Sequence, residues 1–288
     1  MTGEKILFLG YGYTAQALAR LLRAEGWRIA GTARSAQKAA ALDAAQVEPV
    51  LWTESGLDPR ALDDVDAILV STPPGADGCP SFAALRDSLP AQARAVSWIG
   101  YLSSNAVYGD HGGDWVDETS PLRPSTERGF ARVAAEAAWA GFAVEWSTPF
   151  AIFRLPGIYG PGRSALDAVR EGRARRILKP GQVFNRMHVD DIAAALKASI
   201  GRPSAGELFN LADDEPSPPQ DVVDYACKLL NVAPPPLVPL EGAGLSEMGR
   251  SFYRDNKRVK NTAMKEALGV SLRYPTYREG LDAIFGDG

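Results

Sequence analysis

The chain has 288 residues and carries 31 Lys+Arg against 35 Asp+Glu, a formal net charge of -4; that balance offers no broad positive field to a polyanion, and nucleic acid is not an expected partner. The cations divide into 23 arginines and 8 lysines, with no lysine between Lys38 and Lys179. Cys79 and Cys227 are the only cysteines, which excludes a disulfide framework, gives no metal-ligand spacing, and makes a reducing compartment the default.

In chain order, Met1–Lys5 leads straight into the apolar run Ile6–Leu9, which is too short and wrongly flanked for a signal peptide. No apolar run approaches the ~20 residues of a membrane helix, so the expectation is a soluble, cytoplasmic protein without a membrane partner. Ile6-Leu-Phe-Leu9 is a continuous apolar run ending in glycine, the pattern of a strand buried on both faces of a parallel sheet. Ala17, Leu18, Leu21 and Leu22 follow at helical spacing, and Arg28–Thr32 reads as a second strand. Further strands are predicted at Val65–Val70, Val96–Leu102 and Phe150–Leu155, with alanine-rich helical stretches between them. After Leu155 come Gly and Pro punctuation, a basic stretch from Arg170 to Arg176 read as a solvated helix face, a helix over Asp190–Ile200 and a strand over Glu207–Leu211 that can return to the first sheet. Prolines then accumulate from Pro216 to Pro236. Strands alternating with helices define an α/β fold, a Rossmann-like doubly wound parallel sheet with a smaller C-terminal substrate lobe. The expected division is residues 1–155 plus 187–212 for the Rossmann domain and 156–186 plus 213–288 for the small lobe.

Gly10-Tyr-Gly-Tyr-Thr-Ala15 fits G-x-G-x-x-A directly after a buried strand and at the start of a helix. The mechanism needs that context: a tight turn at Gly10, close backbone approach to a pyrophosphate at Gly12, and a small residue at Ala15 where helix meets strand. The amides around Tyr13 and Thr14, at the helix N-terminus, would face the phosphates. At the end of the second strand there is no acid before Asp43, whereas Arg34 stands where a guanidinium could clamp a 2′-phosphate, helped by Thr32, Ser35 and Lys38. The expectation is therefore NADP, with NAD less favoured. Ser71, Thr72 and Pro73, ending the Val65–Val70 strand, are expected to touch the cofactor; Pro73 lacks an amide donor and contributes shape.

At Leu102-Ser-Ser-Asn-Ala-Val-Tyr-Gly-Asp110 the sequence resembles the extended short-chain dehydrogenase/reductase family, the branch with nucleotide-sugar epimerases and dehydratases. Arg154–Gly162, His188–Asp191 and Asn210–Asp213 continue the resemblance in the family's order, while Lys257–Asn261 and Tyr274–Gly280 resemble an atypical subgroup. The resemblance implies that Ser104 polarises a substrate oxygen, that Pro156 borders the cofactor, and that a Tyr-x-x-x-Lys pair follows on a helix ending four residues later in a glutamate. Glu136 is present, but the counted-back positions hold Arg132 and Arg128. An arginine cannot take and return protons near neutrality, and a lost acid/base forfeits about 10²–10⁴-fold in rate. The chain's one Tyr-x-x-x-Lys, Tyr253–Lys257, lies outside that region and reads as coincidence.

Arg128, Arg132, Ser104 and Asp77 are thus the candidate catalytic residues, Asp77 because its loop could hold the family's fourth catalytic member. Tyr108, Tyr159, Arg163 and Arg186 are candidate substrate contacts, the arginines suiting phosphate or carboxylate; His188 reads as a packing residue. Two functions follow: an NADP-dependent oxidoreductase or epimerase of a small, sugar-like or anionic substrate, with a homodimer by family analogy, or a non-catalytic NADP(H)-binding sensor on the same scaffold.

Overall fold

The computed structural model describes residues 3–53, 56–86 and 96–286. Its centre is β1 (Lys5–Leu9), buried at every position. Ile6 and Phe8 pack into one core and Leu7 and Leu9 into another on the opposite face, which is why the run is apolar throughout and does not alternate. Around β1 the strands β2 (Arg28–Ala33), β3 (Glu48–Thr53), β4 (Gly56–Leu57), β5 (Ala67–Val70), β6 (Trp98–Ser104), β7 (Phe150–Leu155) and β8 (Leu208–Asn210) form one sheet in the order β8-β7-β6-β5-β1-β2-β3-β4. All neighbours run parallel except β4, which turns back on β3. The order reverses at β1, so β1 and β5 part their following segments to opposite faces and leave a crevice at their carboxyl ends.

One face is covered by α1 (Tyr13–Ala24), with α2 (Ala36–Ala44) toward the sheet's β3 side; the other by α3 (Pro80–Leu85) and α4 (Glu127–Trp146). A smaller layer contains α5 (Ala165–Arg170), while α6 (Val189–Ile200) returns to pack on α1. In that smaller layer α7 (Pro219–Leu229) packs on α5, α8 (Thr262–Leu268) reaches back to α6, and α9 (Tyr277–Gly286) closes a core of Leu166, Ala226, Leu281 and Ile284. Three short parallel pairs lie outside the main sheet: Gly157–Tyr159 with Arg186–His188, Arg176–Leu178 with Leu237–Pro239, and Trp115–Val116 with Arg258–Val259.

The fold is the expected α/β doubly wound sheet with additional C-terminal elements. The sequence reading passed over β3, whose burial alternates poorly and which carries Pro49 and the exposed Leu51; a strand near the sheet's edge has no obligatory apolar run. The basic stretch is also not a helix face: α5 ends at Arg170, and Arg173 and Arg175 lie in the connection that follows. Among the described residues no helix is long and apolar enough to cross a membrane.

Candidate active site

The glycine turn sits at the crevice beside β1. Gly10 has φ +94°, and a Cβ there would come within 2.6 Å of Ser71 Oγ, so both conformation and space demand glycine. Ser71 fixes the turn from β5, donating its hydroxyl toward the Gly10 carbonyl at 2.7 Å. Gly12 precedes α1, no side chain caps that helix, and a Cβ on Gly12 would meet no atom within 4 Å. Open space in front of a helix N-terminus is what a pyrophosphate requires. Thr14 and Ala15 are buried behind the turn, while the Tyr13 hydroxyl donates to the Pro161 carbonyl at 3.0 Å and ties the turn to the next glycine-rich segment. The residues present fit a dinucleotide.

At the end of β2, Thr32 accepts the Gly10 amide at 2.9 Å, and Ser35 caps α2 by accepting the Lys38 amide. Arg34 is exposed between them. Thr72 is buried and shares a 2.5 Å hydrogen bond with Ser81, whereas Pro73 is exposed just past it. Asp77 is exposed in the tight turn bracketed by Gly75 and Gly78 and does not line the cleft described next.

That cleft, of about 630 Å³, runs from the end of β6 into the smaller layer. Ser104 and Pro156 form its floor at the ends of β6 and β7, Arg128 and Arg132 one wall from the first turns of α4, and Tyr159, Arg163 and Arg186 the other. Ser104 accepts the Ala106 amide and starts the 3-10 turn Asn105–Tyr108. Arg132 donates to the Leu102 carbonyl at 2.5 Å and stands by the Tyr101 phenol, which burial pushes up to about 12 against the arginine's pull. Tyr159 borders the cleft, but its hydroxyl donates to the Thr276 carbonyl and α9 needs Gly280 to pass it, since a Cβ there would lie 2.1 Å from that hydroxyl. Arg163 lies over the Tyr13 ring and Arg186 over Tyr277, with Arg186 also donating to Ser217.

Tyr108 does not reach the cleft. It is wholly buried in a polar chain: Ser103 donates to Glu136 at 2.5 Å, Arg154 pairs with Glu136 at 2.7 Å and donates to the Tyr108 hydroxyl at 2.9 Å, and that hydroxyl donates to Asn210 at 2.7 Å. His188 is buried too, its Nδ1 accepting the Asp190 amide at the start of α6, and burial lowers its pKa. Each of these groups has a packing or capping task at its position.

Sequence reasoning missed Lys257 and Asp255, which line the cleft from the far wall. Residues 253–257 are not helical, so the Tyr-x-x-x-Lys spacing does not put its two side chains on one face: Tyr253 packs on Phe184, and Lys257 alone enters the cleft. Five cationic side chains, Arg128, Arg132, Arg163, Arg186 and Lys257, therefore line the cleft against the single carboxylate of Asp255, in a chain whose net charge is -4.

Residues 89–212 match the family model for the NAD dependent epimerase/dehydratase family, in the same stretch that carries several of the motifs above. It is similar to a functionally unknown conserved protein from Silicibacter pomeroyi, 49% identical, with a TM-score of 0.92 and 99% of each chain covered. It is also similar to the Escherichia coli K12 protein YeeZ, 29% identical over 94% of this chain and 97% of that one. A more distant structure is the UDP-glucuronic acid 4-epimerase of Bacillus cereus, 16% identical, TM-score 0.75, covering 98% of this chain and 97% of that chain.

The cofactor expectation requires correction. The epimerase and several other similar solved structures, a dTDP-glucose 4,6-dehydratase of Bacillus anthracis among them, hold NAD. The residue types at 32–35 have tasks in the fold that the sequence did not display: Thr32 accepts the Gly10 amide, Ser35 caps α2, and Arg34 is exposed between them.

Proposed function

We propose that this chain is an NAD-dependent oxidoreductase or epimerase of an anionic, sugar-nucleotide-like substrate. The observation that carries the reading is the excess of cations in the cleft, whose Arg163 lies over the ring of Tyr13 in the glycine turn. The turn at Gly10–Ala15, with Thr32, Ser71 and Thr72 behind it and Pro73 and Pro156 at its border, would hold the dinucleotide. When bound, that group accepts and returns hydride. Ser104, on the floor, presents its hydroxyl to the reacting oxygen. Arg163 and Arg186, from the smaller layer, suit the phosphates, since a guanidinium fork meets two oxygens at once. Arg128 and Arg132 occupy α4 where the family's tyrosine and lysine are expected; they can orient an anionic group, and Arg132 can donate to a ribose, but neither moves a proton near neutrality. The family-model match, together with the similarity to nucleotide-sugar enzymes, supports this substrate class.

The test uses NAD, NADP and UDP-glucuronic acid as probes. NAD is expected to raise the melting temperature more than NADP at equal concentration, and UDP-glucuronic acid with NAD is expected to give reduced nicotinamide or a C4 epimer. Failure of NAD to stabilise the protein overturns the reading. The absence of a phenol at 128 and a lysine at 132 favours one competing reading, a non-catalytic NAD-binding protein. NAD binding with no hydride exchange for UDP-glucuronic acid, UDP-glucose or dTDP-glucose would decide for it.

A further inference from the structure

Oxidising a carbinol or reducing a carbonyl moves a proton as well as a hydride, and the positions at 128 and 132 supply no carrier. The cleft contains four other groups that titrate. Tyr159 and Tyr277 are pushed up by burial, away from neutrality, with the Tyr159 hydroxyl committed to Thr276 and the Tyr277 ring to Arg186. Asp255 accepts the Ser125 hydroxyl at 2.6 Å. Lys257 is different. Its side chain is 8% exposed, and Nζ donates to the Gly109 carbonyl at 2.8 Å and lies 3.6 Å from Asp255 Oδ2. The Gly109 contact uses one of the ammonium's three donors, and Asp255 stands beyond hydrogen-bond distance as an ion-pair partner.

The Gly109 carbonyl is not an arbitrary anchor. Gly109 caps the turn that Ser104 begins, so the amine is fastened to the same short segment as the polarising hydroxyl. Gly109 has φ +67°, and a Cβ would fall 1.6 Å from the Arg123 carbonyl oxygen, which locks the segment's shape. From the other side, Asn185 donates to the Lys257 carbonyl and accepts the Val259 amide, and Asp110 accepts the Asn256 amide at 2.7 Å. Lys257 is therefore held by backbone contacts on both flanks while its side chain crosses to the β6 end of the cleft.

We propose that Lys257 is the acid/base of this site, exchanging a proton with the substrate oxygen that Ser104 polarises, while Arg128 and Arg132 orient the substrate from the opposite wall. The proposal rests on the functional reading above. In the oxidative direction the carbinol C–H bond breaks and its electron pair leaves as hydride to the nicotinamide dinucleotide. The O–H bond breaks and its proton joins neutral Nζ to give the ammonium, leaving C=O. The reverse direction returns hydride to carbon and the proton to oxygen. Burial lowers the Lys257 pKa, against the opposing pull of Asp255 and Asp110, the carboxylates that face it, which brings the neutral amine closer to working pH.

The experiment uses the full chain, Lys257→Arg and Lys257→Met, with NAD and UDP-glucuronic acid as probes, following hydride transfer against pH and the Nζ resonances of isotopically labelled lysine. NAD should stabilise all three proteins equally. Hydride transfer should fall about 10²–10⁴-fold in both variants, and the rise in oxidative rate with pH seen in the parent should be absent from Lys257→Arg, which keeps the charge. The Nζ resonance lost in Lys257→Arg should titrate below the other lysines and move when UDP-glucuronic acid binds. If the parent converts the probe and Lys257→Arg keeps the same pH limb, the proposal is overturned while the functional reading stands. A parent in which every Nζ titrates with the exposed lysines overturns it even if both variants fail to fold. A parent that binds NAD but neither binds nor converts the sugar nucleotide overturns the functional reading and the proposal with it.

Discussion

Two arginines, one within β7 and one in the short strand that pairs with Gly157–Tyr159, are treated in opposite ways. Arg154 and Glu136 are 5% and 6% exposed in their side chains and form a closed set with Ser103, Tyr108 and Asn210. Arg186 and Asp213 are close enough to shift one another's titration but form no direct ion pair, and Asp213 Oδ2 lacks a partner among the described residues. Burial pushes the Asp213 carboxyl up to about 8, with Arg186 pulling it down, and lowers the Arg186 pKa. A buried charge whose bonds are all made within the protein is scaffold, and removing one partner is expensive. A half-buried cation left with donors to spare beside a cleft is available to a ligand.

The comparison can be broken most forcefully at Glu136. Glu136→Gln leaves Arg154 buried without its carboxylate and should cost about 3–5 kcal/mol in denaturant unfolding, with a double change to Glu136→Gln and Arg154→Met recovering part of it. Tyr108→Phe strands one Arg154 donor and the Asn210 oxygen, and a loss of about 1–3 kcal/mol is expected by the same measurement; no loss would mean the chain is not the closed set described. Arg186→Ala should be cheaper for folding than either, and its effect should appear in the Kd for UDP-glucuronic acid.

Asp213→Asn sharpens the contrast through pH. Because the folded carboxyl holds its proton to about 8, while an unfolded aspartate releases it near pH 4, the parent loses stability as pH rises across that window. Asparagine lacks this dependence. The variant's melting temperature should gain on the parent's from about pH 4 to pH 8 and hold its advantage above, at about 2–4 °C per kcal/mol. A constant difference across the window would show that Asp213 is ionised throughout and paired with Arg186.

The dinucleotide half was legible because its signals are consecutive. Ile6–Leu9 and Gly10–Ala15 contain a buried strand, a turn and a helix start within ten residues, and each residue type is dictated by backbone geometry at its own position. The cleft is built from segments that are far apart in the chain, from Ser104 to Leu281, and nothing beside Lys257 in the sequence marks it as facing Gly109, 148 positions away. Cofactor preference failed for a related reason. Arg34 was visible as a residue type, but the commitments of the Thr32 and Ser35 oxygens are properties of the folded chain. The arginines at 128 and 132 were readable as departures from the family pattern, whereas their shared wall with the α4 N-terminus became apparent only in three dimensions.

The spread of the cleft along the chain also sets an order of assembly on the ribosome. The glycine turn and its supports at Thr32 and Ser71 have been synthesised by residue 72, and Ser104 and both α4 arginines by residue 132, more than a hundred positions before the Lys257 and Tyr277 that complete the far wall. A nascent chain thus contains its glycine turn long before it contains both walls of the cleft.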